Sequence, residues 1–185
     1  MSRAGVREAI ASYLNLQQID YVGQVYPARP IILSEQDYEN RMLNGAVSQI
    51  TSANGSGCVL VVNLTEDDRQ RRADTGRGAV NDSIIHSVVV ELWFACNGDP
   101  ENGANAQADY DNIVDGIFYA IRADATLGTG GQSPGSIWSA GEYAPFIRHQ
   151  QSAPYTQNEG LTVFIRGHVS FGAWVWLAGN VAPVT

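Results

Sequence analysis

The stretch that decides the fold is residues 84–96, which read IIHSVVVELWFAC. Apolar residues occupy both faces of this stretch if the chain is extended, because successive side chains point to opposite sides of a strand. One face would carry Val88, Val90, Leu92 and Phe94, and the other Val89, Glu91 and Trp93. A strand that is apolar on both faces is covered on both. Residues 84–96 are therefore predicted to form the central strand of a sheet.

Three other segments also predict strands. Residues 59–64 are apolar and β-branched, which is typical of a buried strand. Residues 21–30 are interrupted by two prolines, so a strand there is expected at the edge of the sheet. Residues 161–177 alternate over a length far beyond that of an ordinary strand, and we expect a bulge or bend at Gly167 or Gly172.

Helical spacing of apolar residues appears in three places. It predicts a helix over residues 2–16, a short second helix that begins after Ser34 and ends near Gly45, and a long helix carrying an apolar stripe over residues 110–121. The 185 residues fit one domain, residues 1–185. The order of elements predicts an α+β fold, with a mixed, mainly antiparallel sheet and helices packed on one face.

Composition and charge exclude several classes of protein. No run of 18 apolar residues is present, and the first residues lack the apolar core of a signal peptide, so we expect neither a membrane span nor a membrane partner. All 11 basic residues are Arg, which excludes a P-loop lysine and a Schiff base. The net charge of −8 argues against tight binding of nucleic acid, because each phosphate contact needs a cation.

Candidate catalytic and metal-binding residues are few. Cys58 and Cys96 stand 38 residues apart in apolar segments without a CxxC motif, and they are expected to be buried structural thiols. His86, His149 and His168 are dispersed, and none belongs to a recognisable set of nucleophile, base and orienting group. The sequence therefore predicts no enzyme, no metal site and no cofactor.

Aromatic residues on the second face of the predicted sheet are the strongest candidates for function. They are Trp93 on the central strand, and Phe164, Trp174 and Trp176 on the last one. One layer of helices would leave part of this face exposed, and self-association would cover it. Alternatively, the second helix or a loop covers the face within one subunit. Either arrangement is compatible with the sequence.

Residues 65–82 are charged and polar and contain almost nothing apolar. A stretch of about 18 such residues exceeds the usual length of a loop. It is therefore predicted to be a long polar loop that is either functional or disordered.

Taken together, five segments resemble those of one family. They are VREAI at 6–10, YPARP at 26–30, SVVVELWF at 87–94, ADYDNIVDGI at 108–117 and GLTVFIRGHV at 160–169. In this order, over most of the chain, they are similar to the tail terminator and tail-completion proteins of long-tailed phages, which share a pattern without an invariant motif.

The resemblance implies a homohexameric ring that caps the finished tail tube, ends its polymerisation and offers an attachment surface to the head connector. Its partners would be copies of itself, the tail tube protein, the head–tail connector protein and DNA that crosses an acidic lumen without specific binding. The protein would be assembled in the host cytoplasm and become part of the tail or neck of the virion. No catalysis is implied.

In such a ring, the long polar loop would be the segment that becomes ordered against tube or connector. Its candidate contact residues are Asp67, Asp68, Arg69, Arg71 and Arg72. The nearest alternative is a head-completion or connector ring. From a different class, a small-ligand-binding domain would place its pocket between the aromatic strand face and the long helix.

Overall fold

A computed structural model describes residues 2–31, 34–51, 55–73, 80–97, 103–131, 136–141, 147–157 and 162–176, with the backbone alone at 66–73, 80–83, 103–105 and 157. Three helices and seven strands follow one another along these residues. They are α1 (Arg3–Leu16), β1 (Val22–Tyr26), α2 (Glu35–Ser48), β2 (Ser56–Ala73), β3 (Val80–Asn97), α3 (Gly103–Ala123), β4 (Ile137–Ala140), β5 (Arg148–Gln151), β6 (Tyr155–Gln157) and β7 (Thr162–Trp176). No helix among the described residues is both long and apolar enough to cross a membrane.

The strands form one mixed sheet in the order β1-β2-β3-β7-β4, and β5 and β6 also pair with β7. Only β1 and β2 run parallel; the other pairs are antiparallel. The predicted α+β class and the central position of β3 are confirmed, since β3 lies between β2 and β7. The segment around residues 21–30 supplies the edge strand β1, as expected.

One face of the sheet is covered by α1 and α3. Ser2 caps α1 by accepting a hydrogen bond from the backbone N–H of Gly5, at 3.2 Å from nitrogen to Oγ. Apolar residues of both helices pack on alternate residues of β2, β3 and β7; the largest fully buried ones are Ile10, Leu14, Leu60, Leu92, Phe94, Tyr110, Ile113, Ile117, Ile121 and Phe171. This is the main core, and burial of its apolar surface is the principal stabilising contribution.

Helix α2 lies on the opposite face, which differs from the prediction that all helices share one face. Ser34 caps it by accepting a hydrogen bond from the N–H of Asp37, and the helix continues past Gly45 to Ser48. It packs on the alternate set of strand residues, which includes Trp93 and Phe164. Because these side chains point away from the main core, they need a cover of their own, and α2 supplies it.

Gly167 marks a close approach of other residues to β7, and the bulge predicted at Gly167 or Gly172 is not found where β7 pairs with β3. The register of β3 with β7 is uninterrupted from Ser83 opposite Trp176 to Asn97 opposite Thr162. A Cβ added at Gly167 would collide with the hydroxyl of Tyr110 and lie 2.7 Å from the carbonyl oxygen of Gln150. Glycine is needed here because the main core and β5 both press on the backbone.

The predicted long loop over residues 65–82 is wrong in its described part. Residues 65–73 continue β2 and residues 80–82 begin β3, in antiparallel register down to Ala73 opposite Val80. Residues 74–79 lie outside the described part. Cross-strand hydrogen bonds join the backbones of polar residues as well as those of apolar residues. Composition alone therefore did not predict that this segment forms strands.

Candidate functional site

The second face of the sheet, here called the outer face, is covered by α2 at one end only. Trp93 and Phe164 lie under α2, with 6% and 2% of their surfaces exposed. The ring of Tyr38 meets that of Trp93 edge to face, with centroids 5.5 Å apart. The second helix therefore covers these two predicted interface residues within one subunit, and they are core residues.

Beside α2 a carboxylate is partly buried on the outer face. Only 15% of the Glu91 side chain is exposed. Its Oε1 accepts hydrogen bonds from Arg29 Nε at 2.9 Å and from Asn63 Nδ2 at 2.6 Å. Its Oε2 accepts from the Tyr38 hydroxyl at 2.6 Å and from Trp93 Nε1 at 3.3 Å. Burial, and then the negative charge of Glu91, raise the pKa of Tyr38 well above its ordinary value.

A second ion pair joins α2 to β7. Two guanidinium nitrogens of Arg166 lie 2.5 and 3.0 Å from the carboxylate oxygens of Glu39. Arg166 Nε also donates to the hydroxyl of Tyr155 at 3.1 Å, and its guanidinium carbon lies 4.8 Å from the ring centroid of Trp93. The hydrogen bonds from Arg166 lower the pKa of Glu39. Bidentate pairing of this kind fixes orientation as well as charge.

These two networks line a groove of about 520 Å³ on the outer face. Its other lining residues include Glu35, Val89, Gln150, Gln151, Ser152 and His168. The ligand pocket predicted between the aromatic face and the long helix is absent from the described residues, because α3 packs on the opposite face of the sheet. Both arginines in the groove form ion pairs with carboxylates that also line it. The charges of the groove therefore contribute first of all to the stability of the fold.

Past the groove, three tryptophans form what we call the tryptophan patch. The ring of Trp138 is stacked on that of Trp176, with centroids 5.1 Å apart, and lies 5.4 Å from that of Trp174. Trp176 Nε1 donates to the carbonyl oxygen of Gly131 at 3.1 Å. All three rings are partly exposed, and none belongs to either hydrophobic core. Trp174 and Trp176 were predicted from sequence; Trp138 was not.

The far end of the β2–β3 hairpin forms what we call the arm, residues 65–73 and 80–82. In the residues that the structure describes, β7 pairs with β3 as far as Ser83, and β1 pairs with β2 from Cys58 to Val61. The candidate residues Asp67, Asp68, Arg69, Arg71 and Arg72 all lie on the β2 side of the arm; their side chains are outside the described part of the structure.

Both cysteines are buried, and the imidazole of His149 contacts a residue of the main core. Cys58 is fully buried, and burial raises its pKa to about 12, so the nucleophilic thiolate is suppressed. His149 Nε2 lies 3.0 Å from the hydroxyl of buried Tyr110, and burial lowers the pKa of this histidine. Within the described ranges, no group of three His, Cys, Asp or Glu residues could hold a metal ion.

In comparisons with known proteins, a weak likeness is found among solved structures. No protein-family model matches the chain, and no curated protein matches it. One solved structure, described as "Virion of native gene transfer agent (GTA) particle", contains a chain that aligns over 95% of this chain and 98% of its own length. The identity is 14% and the TM-score is 0.36.

Proposed function

We propose that this chain is a structural subunit of a phage-like virion, and that it forms a ring that caps the tail tube, ends tube polymerisation and provides the attachment surface for the head connector. The resemblance of its sequence pattern to tail terminator proteins led to this proposal. The proposed role is assembly; no catalysis, metal or cofactor is part of it.

The observation that carries the proposal is the tryptophan patch. Tryptophan is enriched among the residues that dominate protein interfaces, where each large ring buries much area. Three such rings together, partly exposed at the end of the outer face that α2 leaves bare, suit a contact between subunits. In a ring the contact would be heterologous: the patch of each copy would meet a different surface of the next.

Two further features support the ring. The arm extends the hairpin past the strands that flank it and carries charges of both signs, which suits docking onto a tube or a connector. The net charge of −8 suits a lumen through which DNA slides without being held.

Loss of the subunit from a phage that encodes it tests the role directly. A tail terminator is needed to stop the tube, so its loss should give overlong tails in electron micrographs. Tails of normal length that fail to join heads would instead assign the chain to head completion. Particles with normal, joined tails would contradict both roles.

Substitution in the patch tests the interface. Trp174→Ala should weaken the ring by roughly 2 kcal/mol per contact, while the circular dichroism of the subunit stays unchanged. Tyr119→Ala is the matched control, because Tyr119 is a 74% exposed aromatic residue on α3. Native mass spectrometry of both variants and the parent would report the ring. Equal ring stability in all three, or an unfolded Trp174→Ala subunit, would contradict the assigned contact.

A further inference from the structure

The outer edge of β2 carries no strand over most of its length. β1 pairs with β2 no further than Val61, and no other described strand lies on that side from Val62 to Ala73. An unpaired edge presents backbone N–H and C=O groups in the spacing that a further strand needs. The edge is therefore a template for one more strand.

The arm has a second shortage of partners at its tip. Within the described part of the chain, residues 71–73 pair only with residues 80–82, because the described register of β3 with β7 ends at Ser83. A two-stranded ribbon is at best marginally stable in water, and a third strand stabilises it. An added strand would therefore stabilise the arm more than it would stabilise the part of the same hairpin that lies beside β1 and β7.

The charges along this edge change sign once. Residues 66–68 are Glu, Asp and Asp, and the basic residues Arg69, Arg71 and Arg72 follow. Charged residues on an edge usually prevent edge-to-edge pairing, because like signs meet. Here an antiparallel second copy would bring its basic half against the acidic half of the first, so the same charges favour pairing.

Symmetry restricts the possible registers. Two identical antiparallel strands related by a two-fold axis must place one residue opposite its own copy, since opposite residues share a face of the sheet. With Arg69 at the axis, Glu66 lies opposite Arg72 and Asp67 opposite Arg71, which gives four opposite-sign pairs and one like-sign pair.

The neighbouring registers are worse. With residue 68 at the axis, two opposite-sign pairs remain and two aspartates meet. With residue 70 at the axis, two opposite-sign pairs are offset by two pairs of arginines. The sequence therefore favours the register centred on Arg69.

We propose that two copies of the free protein pair through their arms, β2 edge to β2 edge and antiparallel, with Arg69 at the two-fold axis. The dimer is distinct from the proposed ring, whose subunits all face the same way. Where that ring forms, arm pairing has a further effect, which rests on the proposed function: it occupies the edge that would meet tube or connector, and so keeps the free subunit out of assembly.

Charge reversal at one cross-strand pair tests the register. Glu66 and Arg72 are suitable because their opposite residues in β3 are the neutral Ser87 and Asn81. Glu66→Arg alone creates two pairs of arginines across the dimer, and Arg72→Glu alone creates two pairs of glutamates. An equimolar mixture of the two variants restores both opposite-sign pairs in a heterodimer.

Sedimentation at low salt gives the readout, with Trp174→Ala in every chain so that no ring obscures the dimer. We expect each reversed variant to raise the dissociation constant of the dimer about tenfold or more, and the mixture to return it to the parent value. Glu8→Arg makes the same change of charge at an exposed residue of α1 and should leave it unchanged. A parent that stays monomeric, or a mixture that does not recover, overturns the proposal.

A second pair of variants identifies the residue that lies at the two-fold axis. Arg69→Ser removes the one like-sign contact and should tighten the dimer, whereas Arg71→Ser removes two favourable contacts and should weaken it. Tightening by both variants would place the axis at residue 70, where Arg69 lies opposite Arg71, and weakening by Arg69→Ser with no effect of Arg71→Ser would place it at residue 68; either result overturns the register. None of these results bears on tail length in the phage, so failure of the arm dimer and failure of the ring proposal are distinguishable.

Discussion

The base and the arm of the β2–β3 hairpin have the same backbone geometry in very different surroundings. In the base, residues 56–64 and 88–96 lie between α1 and α3 on one face and α2 on the other, and Leu60 and Leu92 have no exposed surface. In the arm, residues 65–73 and 80–82 lie beyond β1, and residues 71–73 and 80–82 also lie beyond the described part of β7. The difference separates two features of the hairpin: burial of side chains specifies the base, whereas the structure describes the arm by its backbone pairing.

The largest expected contrast comes from truncating a side chain in each region. Leu60→Ala in the base should lower the free energy of unfolding by about 2–5 kcal/mol, because it removes buried methyl groups and leaves a cavity. Gln70→Ala in the arm should change it by less than about 0.5 kcal/mol. Urea denaturation of the subunit measures both. Similar losses for the two variants would show that the arm is part of the cooperative core.

A smaller contrast uses one chemical change in both regions. Glu91→Gln keeps the shape of the side chain but places an NH₂ group among four hydrogen-bond donors, so we expect a loss of about 1–3 kcal/mol. Glu66→Gln in the arm should be close to neutral when the subunit is monomeric. A neutral Glu91→Gln would mean that the carboxylate network adds nothing to stability.

The smallest effect is the response of stability to acid. The pKa of Glu39 is lowered by its hydrogen bonds to Arg166, so the unfolded chain takes up this proton first as the pH falls. The contribution of the pair is complete above the ordinary glutamate pKa, and is lost as the pH falls through the lowered value. Glu39→Gln should therefore flatten the acid limb of a plot of unfolding free energy against pH.

The matched variant for that experiment is Glu66→Gln, whose carboxylate lies in the arm. It removes a carboxylate and leaves the Glu39–Arg166 pair intact, so the effect of Glu39→Gln on the acid limb is measured relative to this variant. Equal slopes for Glu39→Gln and the parent would contradict the role given to the ion pair.

The spacing of apolar residues along the sequence predicted much of the fold. The two-sided apolar run at residues 84–96 predicted the central strand, and the stripe at 110–121 predicted the helix that became α3. Which face of the sheet α2 covers could not be predicted from the spacing of apolar residues, because the few apolar residues of α2 could pack on either face. Trp93 and Phe164 decide it, and they lie far from α2 along the chain.

The candidate site was predicted less completely. Alternation along the last strand predicted that Trp174 and Trp176 share the outer face. Trp138 lies next to them because β4 pairs with β7, which no local pattern indicates. The network at Glu91 collects donors from Arg29, Tyr38 and Asn63, and no local pattern connects them. A single carboxylate inside an apolar strand was the one available signal, since a buried charge needs partners.

The position of β7 has a consequence for the order in which the molecule folds. Four strands, β3, β4, β5 and β6, hydrogen-bond to β7, which is the last of the described strands. During synthesis, one edge of β3 therefore has no partner strand until a segment about 65 residues further along the chain has left the ribosome. Such distant pairing is slow, and until it happens the newborn chain exposes an apolar strand to its neighbours. Subunits translated close together on one message would be most at risk of joining wrongly in that interval.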